Sequence, residues 1–443
     1  MKIYNNQLLV LSLILTILSI YLVYPGIIFG DTYTQYYQAL TKTYYDWHPP
    51  ILSHIWRIIL LITGTKYSLY AIIITINSFS LALLLSYLKK WYAPLLYVIL
   101  YFSPLFFGYF GWVHKDFFLS TILLLVSGLF PVYLRNKSLK LKILLINLLI
   151  IASLFRANAA FITAPIIMYL LCSNWNTRII CYSVLLSLLM ILVQNPINHK
   201  ILGAKESHPI ISLKIFDISG ISHFSKKNYF PINLSTDDKD RVLGECYSSE
   251  LWDNYAWWGK CNFLLNKMFN SSNTVNESLT TQWLKSIKEH PFLYIKHRSR
   301  HFIIFITSHY SYGYNLDLGF YDGSKNNEKT YGPKSQQFES AYKLVFLNKN
   351  SLFSYMLSGL PWLLVLIVIF IKTFKNNLTY DTDHTKLINC FCFAGIFYIG
   401  MYLFVGVASD LRYLLPSQYL AISAMIYFHV YKSKELVKKE LVK

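Results

Sequence analysis

The chain has 443 residues, of which 54% are hydrophobic and only 14% are charged. Because soluble proteins carry about 25% charged residues, this composition excludes an ordinary soluble domain. Several apolar runs reach the roughly 20 residues that a helix needs to cross a bilayer, and they are too many and too long for a signal peptide. The net charge of +19 is spread over many connections without a compact basic domain, so nucleic-acid binding is not expected.

The apolar runs predict an all-α polytopic membrane protein with about ten transmembrane helices, at residues 7–29, 67–88, 91–111, 116–134, 139–155, 157–173, 178–194, 352–372, 387–408 and 411–430. With the N-terminus inside, every inner connection carries Lys or Arg and the short outer ones carry few, which is the positive-inside pattern. Both termini are therefore expected in the cytoplasm. Almost no loop separates the runs 139–155 and 157–173, so a broken helix or a re-entrant hairpin is an alternative there.

The connection between the first two runs is unusually polar and aromatic. Asp31 directly follows the first run, and a carboxylate at the mouth of a membrane helix costs free energy unless it meets water or a partner. Residues 32–46 alternate polar and aromatic side chains, which predicts a helix lying in the interface. Residues 51–63 are apolar but short, and the preceding prolines can open a helix. They predict a second interfacial helix, with a short true span as the alternative.

The sequence divides into an N-terminal transmembrane module at 1–194, an extracytoplasmic loop domain at 195–351, and C-terminal helices with a basic tail at 352–443. The loop domain is predicted to be mixed α/β. Its residues 210–221 resemble a strand, 279–290 and 296–306 resemble helices, and 313–334 resemble an exposed loop. The only two cysteines in this domain, Cys246 and Cys261, predict a disulfide bond if the compartment is oxidising.

Charged side chains recur in every outer connection, namely Asp31, Asp46 and His48, then Lys115 and Asp116, then Arg156, and finally Asp410 and Arg412. Each has an ordinary alternative. Pairs within one connection could be local ion pairs, Arg156 could reach lipid head groups, and Asp31 could cap the helix that follows. Together, however, several cations and a carboxylate on one face suit a lipid phosphate, because cations neutralise the phosphate and the carboxylate accepts a proton.

Such a site fits the transfer of a sugar from polyprenyl phosphate. No nucleotide sugar is present outside the membrane, so a transferase there must take its donor from a lipid. One carboxylate near the acceptor hydroxyl accepts its proton, and positive groups stabilise the departing phosphate. Attack on the face opposite the phosphate inverts the anomeric configuration, and no second carboxylate nucleophile is needed.

The layout resembles the GT-C superfamily of membrane glycosyltransferases, in which a first span leads to an outward loop with a catalytic carboxylate and two juxtamembrane helices. The stretches that carry the resemblance are Gly30-Asp31-Thr32-Tyr33, Asp46-Trp47-His48-Pro49-Pro50, Lys115-Asp116, Arg156-Ala157-Asn158, Asp410-Leu411-Arg412-Tyr413-Leu414-Leu415-Pro416 and Trp283 to Arg298. The catalytic loop would span 30–66. Size and span number are similar to those of bacterial and phage inner-membrane enzymes that modify O-antigen, lipopolysaccharide or other surface polysaccharide.

The resemblance implies a polyprenyl-phosphate-sugar-dependent hexosyltransferase with Asp31 as general base. It places the lipid phosphate on Arg412, Arg156 and Lys115, in that order. It also implies that the substrates contact a further set of side chains, namely Asp46, His48, Asp116, Asp410 and Tyr413. Some members use a divalent metal and others do not, and no ligand spacing in this chain demands one. The expected partners are the lipid-linked donor, a glycan or lipid-linked oligosaccharide acceptor, and membrane lipids.

Two other functions stay open on the sequence. An O-antigen polymerase or ligase also has many spans and a large outer loop, and it would use basic side chains such as those at 296–301. That function leaves Asp31 without a role. A flippase or transporter would place polar groups in mid-span and show an internal repeat, and neither feature is visible.

Overall fold

The computed structural model describes residues 2–24, 26, 30–271, 275–309, 335–347, 351–377 and 383–442. These residues are mostly helical and contain no β-strand, only two isolated bridges, so the prediction of a mixed α/β loop domain is wrong. Residues 210–221, predicted as a strand, lie in a helix instead. Its spaced isoleucines imitate a strand pattern, but helices pack on several sides of the segment and bury nearly all of it, and this packing overrides local preference. The predicted loop at 313–334 lies outside the described residues.

The first nine α-helices precede the loop domain. They are α1 (Lys2–Val23), α2 (Asp31–Thr41), α3 (Ile51–Thr63), α4 (Ser68–Ser86), α5 (Ala93–Tyr101), α6 (Lys115–Asn136), α7 (Leu139–Ser153), α8 (Ala160–Cys172) and α9 (Thr177–Pro196). The others are α10 (Ile211–Ser225), α11 (Thr236–Leu243), α12 (Phe263–Ser271), α13 (Val275–Glu289), α14 (Pro291–Thr307), α15 (Ser335–Tyr342), α16 (Gly359–Asn377), α17 (Asp383–Val405) and α18 (Leu415–Val442).

Five helices of the described chain are long and apolar enough to cross a membrane: Asn6–Val23, Ser68–Ser86, Lys115–Asn136, Thr177–Ile201 and Asp383–Val405. The predicted count of ten is therefore not supported. The run 91–111 forms only the nine-residue α5, and a turn and a short 3-10 helix follow it. The runs 139–155 and 157–173 form α7 and α8, of 15 and 13 residues, with a break at Arg156. Each of these helices ends before the apolar run that contains it does, so the length of the run overestimates the length of the helix.

The long helices pack into one bundle. The helix α4 contacts α1 and α6, α6 contacts α18, and α17 contacts α16, α18 and α8. They share a single buried apolar cluster, while α1 keeps an exposed apolar stripe that includes Leu9, Leu13 and Ile17. A stripe of this kind on a spanning helix is the surface that lipid tails cover.

The helices α2 and α3 lie between the first two long helices and pack against each other. The helix α3 begins directly after Pro50, because proline needs no hydrogen-bond acceptor for its nitrogen at a helix start, and it ends at Gly64 in the left-handed region. Its 13 residues cover about 20 Å, which is too short for a bilayer core of about 30 Å. Its bounds match the helix predicted at 51–63.

The loop domain has its own apolar core, formed by α10 to α13 and the segments between them. Cys246 and Cys261 lie inside this core, joined by a disulfide bond with their Cα atoms 5.8 Å apart. The bond closes the segment 246–261, which leads from α11 to α12 and touches the end of α17. This segment bears on the geometry of the candidate site.

Candidate active site

Charged side chains from four distant connections converge at one end of the bundle. Asp31 opens α2, Lys115 and Asp116 open α6, Arg156 lies between α7 and α8, and Asp410 and Arg412 precede α18. We call these six residues, together with His48 and His114, the ionic cluster. It contains three carboxylates and three basic side chains.

The carboxylate of Asp31 is the most accessible of the three. Its side chain keeps 32% of its surface exposed, against 15% for Asp410 and 0% for Asp116. Arg412 donates to Asp31 through Nη2, which lies 3.1 Å from Oδ2. Burial by itself raises the pKa of Asp31, but the facing His48 and Arg412, with His114 and Lys115, outweigh it and hold this pKa well below the usual value. Asp31 is therefore an ionised acceptor near neutral pH.

The geometry around His48 determines which of its ring nitrogens carries the proton. Lys115 Nζ lies 2.7 Å from His48 Nδ1, and because an ammonium can only donate, Nδ1 is the acceptor. The proton of the neutral ring then sits on Nε2, which lies 3.5 Å from Asp31 Oδ1. Burial, followed by the charge of Lys115, lowers the pKa of His48 to about 3, which keeps the ring neutral. Lys115 thus orients His48 toward Asp31 in the free protein.

A second histidine links Arg412 to Asp116. Arg412 Nη1 donates to His114 Nε2 at 2.6 Å. The other ring nitrogen, Nδ1, accepts from the backbone nitrogen of Asp116 at 3.2 Å and lies 2.9 Å from Asp116 Oδ2. The other oxygen of Asp116 accepts from Arg156 Nη1 at 2.6 Å. Asp116, fully buried, therefore ties both arginines together and has no surface left for a substrate.

Of the two arginines in the ionic cluster, Arg156 has more hydrogen-bond donors without a partner among the described residues than Arg412. Its Nε donates to Asn158 at 3.1 Å and its Nη1 to Asp116, whereas Nη2 makes no hydrogen bond to any residue of the described chain. The guanidinium carbon lies 4.0 Å from the ring centroid of Tyr413, so a cation–π contact with this ring stabilises the group. Arg412, in contrast, already uses all three of its nitrogens, since Nε contacts Asp410 at 2.8 Å.

Asp46 lies apart from the cluster, although the sequence placed it among the substrate contacts. Its Oδ1 accepts from both the backbone nitrogen and the hydroxyl of Ser207, each at 2.6 Å, and its Oδ2 lies 3.3 Å from His199 Nε2. Its own backbone nitrogen donates to the carbonyl of Lys205. Asp46 therefore fastens the α2–α3 connection to the segment after α9.

An Asp46→Ala variant is expected to lose stability and to keep its activity. The change leaves Ser207 without its charged acceptor, which costs roughly 1.5–3 kcal/mol for such hydrogen bonds. Thermal unfolding in detergent measures the loss, and turnover is measured well below the unfolding temperature. A large fall in turnover with unchanged unfolding would place Asp46 in the site instead.

The loop domain contributes a carboxylate that sequence reasoning missed. Asp253 opens a short 3-10 helix inside the disulfide-closed segment, and within the described residues its side chain makes no hydrogen bond or ion pair. Burial, then the negative charge of Asp31, raises the pKa of Asp253 to about 6, although Arg412 opposes the shift. No motif surrounds this residue, and only the folded chain brings it near Asp31.

An Asp253→Asn variant is expected to be more stable than the parent near pH 7 by roughly 1–3 kcal/mol. The folded protein holds the Asp253 proton up to about pH 6, whereas an ordinary Asp releases it near 3.8. The folded state is therefore penalised progressively as pH rises through this window. Unfolding measured at about pH 4 and pH 7 should show the gain only at the higher value. The exposed Asp237→Asn serves as the control, and an equal gain at both pH values would contradict the shift.

The basic side chains at the end of the loop domain have a structural role. His297, Arg298 and His301 are all buried in α14. Arg298 forms an ion pair with Asp217, with 2.6 Å between Nε and Oδ1. These three side chains are buried against neighbours of the loop domain, whereas Lys296 and Arg300 on the same helix are exposed.

His114 is the member of the cluster that the sequence signalled most plainly and that we did not predict. It directly precedes Lys115 in the turn before α6, and a histidine beside a charged pair is a fair site candidate. Within the described ranges, no group of three or more His, Cys, Asp or Glu side chains is placed to hold a metal ion.

The cluster presents an accessible carboxylate, a neutral imidazole and two guanidinium groups in one place, a combination suited to proton transfer beside an anionic group. Comparison of the chain with protein-family models, with curated proteins and with solved structures gave no match.

Proposed function

We propose that this protein is an inverting glycosyltransferase that moves a sugar from a polyprenyl-phosphate donor to a lipid-linked or surface glycan acceptor. The reaction takes place at the extracytoplasmic face of a bacterial inner membrane, with both termini in the cytoplasm. O-antigen or another surface polysaccharide is the proposed acceptor class. Two grounds support this function: the resemblance of the sequence to the GT-C superfamily and the contacts within the ionic cluster.

One observation carries the proposal: the partly exposed carboxylate of Asp31 accepts from the guanidinium group of Arg412 at 3.1 Å, at one end of a bundle of apolar helices. A base for a sugar hydroxyl must be unprotonated and reachable, and Asp31 is both. A lipid phosphate bound beside Asp31 needs cations within reach, and Arg412 contacts Asp31 directly while Arg156 joins the same cluster through Asp116. Asp116 and Asp410 are also paired with these arginines, but they are less exposed than Asp31, so they compete less for the role of base.

In the proposed reaction, the acceptor hydroxyl oxygen attacks the anomeric carbon on the face opposite the phosphate. A carbon–oxygen bond forms there as the bond from the anomeric carbon to the phosphate oxygen breaks. The electron pair of the broken bond stays on the lipid phosphate, and the hydroxyl proton moves to Asp31. Guanidinium groups stabilise the charge that develops on the departing phosphate.

The contact between Arg412 and Asp31 couples donor binding to base strength. While Arg412 pairs with Asp31, the carboxylate is ionised but weakly basic. A donor phosphate that attracts Arg412 weakens this pair, and the basicity of Asp31 then rises because burial favours its protonated form. Arg156, with Nη2 uncommitted, offers the first contact for the phosphate, whereas Lys115 acts through His48.

The transfer is tested with purified protein, a polyprenyl-phosphate sugar and isolated glycan acceptor, and by comparing surface glycan from cells with and without the protein. Loss of one side-branch sugar from each repeat supports the transferase. Loss of chain length with intact branches would instead support a polymerase. Accumulation of unused donor on the inner leaflet would support a flippase.

A further inference from the structure

The segment that carries Arg412 is attached to the loop domain before it reaches the ionic cluster. The backbone nitrogen of Trp252 donates to the carbonyl of Val407 at 2.9 Å, and that of Ser409 donates to the carbonyl of Glu250 at 2.8 Å. Between these bonds, Leu251 and Ala408 form an antiparallel bridge. We call the paired segments 250–252 and 407–409 the junction. Arg412 follows it by three residues.

A buried arginine fixes the start of the junction. Arg298 Nη1 donates to the carbonyl of Gly406 at 2.5 Å, while its Nε faces Asp217 at 2.6 Å. Trp283 Nε1 donates to the other oxygen of Asp217 at 2.8 Å, which fixes the carboxylate in turn. Arg298 is 1% exposed, so this contact is shielded from water. A planar fork oriented by a carboxylate on one side can hold a carbonyl in one position on the other.

The space around Gly406 leaves little tolerance for movement. A Cβ atom at this position would lie 2.6 Å from the carbonyl oxygen of Tyr402 and 2.8 Å from Nε2 of His301. The other ring nitrogen of His301 lies 2.9 Å from the carbonyl of Ser249, next to the junction. The loop domain therefore contacts the end of α17 from several sides, and the disulfide bond closes the segment that makes the backbone contacts.

We propose that the loop domain sets the position of Arg412 through this junction, with Arg298 as a positioning residue for the ionic cluster. Arg298 does not touch substrate. It holds Gly406, and the rigid junction then places Asp410 and Arg412 against Asp31 and His114. The effect on transfer rests on the proposed function, whereas the effect on the junction itself does not.

The test uses a double variant, Asp217→Asn with Arg298→Met, because loss of Arg298 alone would leave a buried unpaired charge. Asn still accepts from Trp283, and Met fills space without holding Gly406. The kcat/KM for donor is expected to fall about 10- to 100-fold, as for a misplacement near 1 Å. Arg298→Lys, which keeps the charge and one donor, should show a smaller loss.

A cross-link separates positioning from general folding. The bridge between Leu251 and Ala408 is of the non-hydrogen-bonded type, with Cα atoms about 4.5 Å apart, which lies within disulfide range. Leu251→Cys with Ala408→Cys is expected to oxidise readily in the parent and poorly in the double variant. Where the bond does form in the double variant, it should restore at least half of the lost kcat/KM, and reductant should remove the gain. The double variant without engineered cysteines, treated identically, is the control.

Equal cross-linking in parent and double variant, or unchanged kcat/KM, would overturn the proposal, as would a cross-linked double variant that stays inactive. If the parent protein transfers no sugar, the proposed function fails. Cross-linking yield then still shows whether Arg298 holds the junction. The two failures are therefore distinguishable.

Discussion

Replacement of Asp31 by Asn is expected to lower kcat for sugar transfer by about 100- to 10,000-fold, the usual contribution of a positioned base. Asn has nearly the same shape and still accepts from Arg412, so the fold is expected to survive. It cannot take the proton of the acceptor hydroxyl. The KM for donor should change little, because the phosphate contacts remain. Single-turnover transfer from labelled polyprenyl-phosphate sugar measures the chemical step directly.

Asp46→Asn is the matched control for this variant. It makes the same chemical change 15 residues later in the same connection, at a carboxylate bound to Ser207 outside the ionic cluster. It should cost stability and leave kcat within a few-fold of the parent. A folded Asp31→Asn protein with parental turnover would remove Asp31 from the role of base.

The second large effect is expected from Arg412→Met, with a fall in donor kcat/KM of about 100- to 1,000-fold, as for the loss of one strong electrostatic donor. The variant removes both a phosphate contact and the cation that faces Asp31. The pH dependence of kcat/KM distinguishes these two effects. Arg412 lowers the pKa of Asp31, so its removal raises that pKa, and the acid limb of kcat/KM should move to higher pH.

Arg412→Lys is the control, because it keeps a positive charge but cannot contact Asp31, His114 and Asp410 simultaneously. Its acid limb should stay closer to the parent while donor use is still impaired. An Arg412→Met profile with a reduced rate and no shift in the acid limb would show that the pair with Asp31 does not tune the base. In that case only the phosphate contact would remain.

That the chain is helical and contains membrane-spanning helices was predictable, because long apolar runs can be recognised from the sequence without knowing which residues meet in the fold. The helix at 51–63 was also predictable, since prolines mark its start and glycine its end. The strand at 210–221 was wrong because spaced isoleucines fit two structures, and burial among α13 and α14 selected the helix. Long apolar runs overstated the spans, since hydropathy does not register the turns that end α5 and α7.

The residues of the candidate site likewise fall into those that the sequence marked and those that only the structure revealed. Charged side chains in short turns between apolar runs marked most of its members, because a charge placed there costs free energy unless it meets water or a partner. The sequence could not separate His48, which faces Asp31, from Asp46, which holds Ser207, since both lie in one short stretch. It also gave no sign of Asp253, which reaches the site through packing of the loop domain.

The sequence by itself determined that this is a membrane protein with charges in the turns between its apolar runs, because composition and the position of each charge can be read directly along the chain. Only the tertiary structure decided which charges meet. Arg412 and Asp31 are 381 positions apart and 3.1 Å apart in space. Contacts at that separation depend on how α1, α6 and α18 pack and on the Arg298 junction, and no local pattern encodes them.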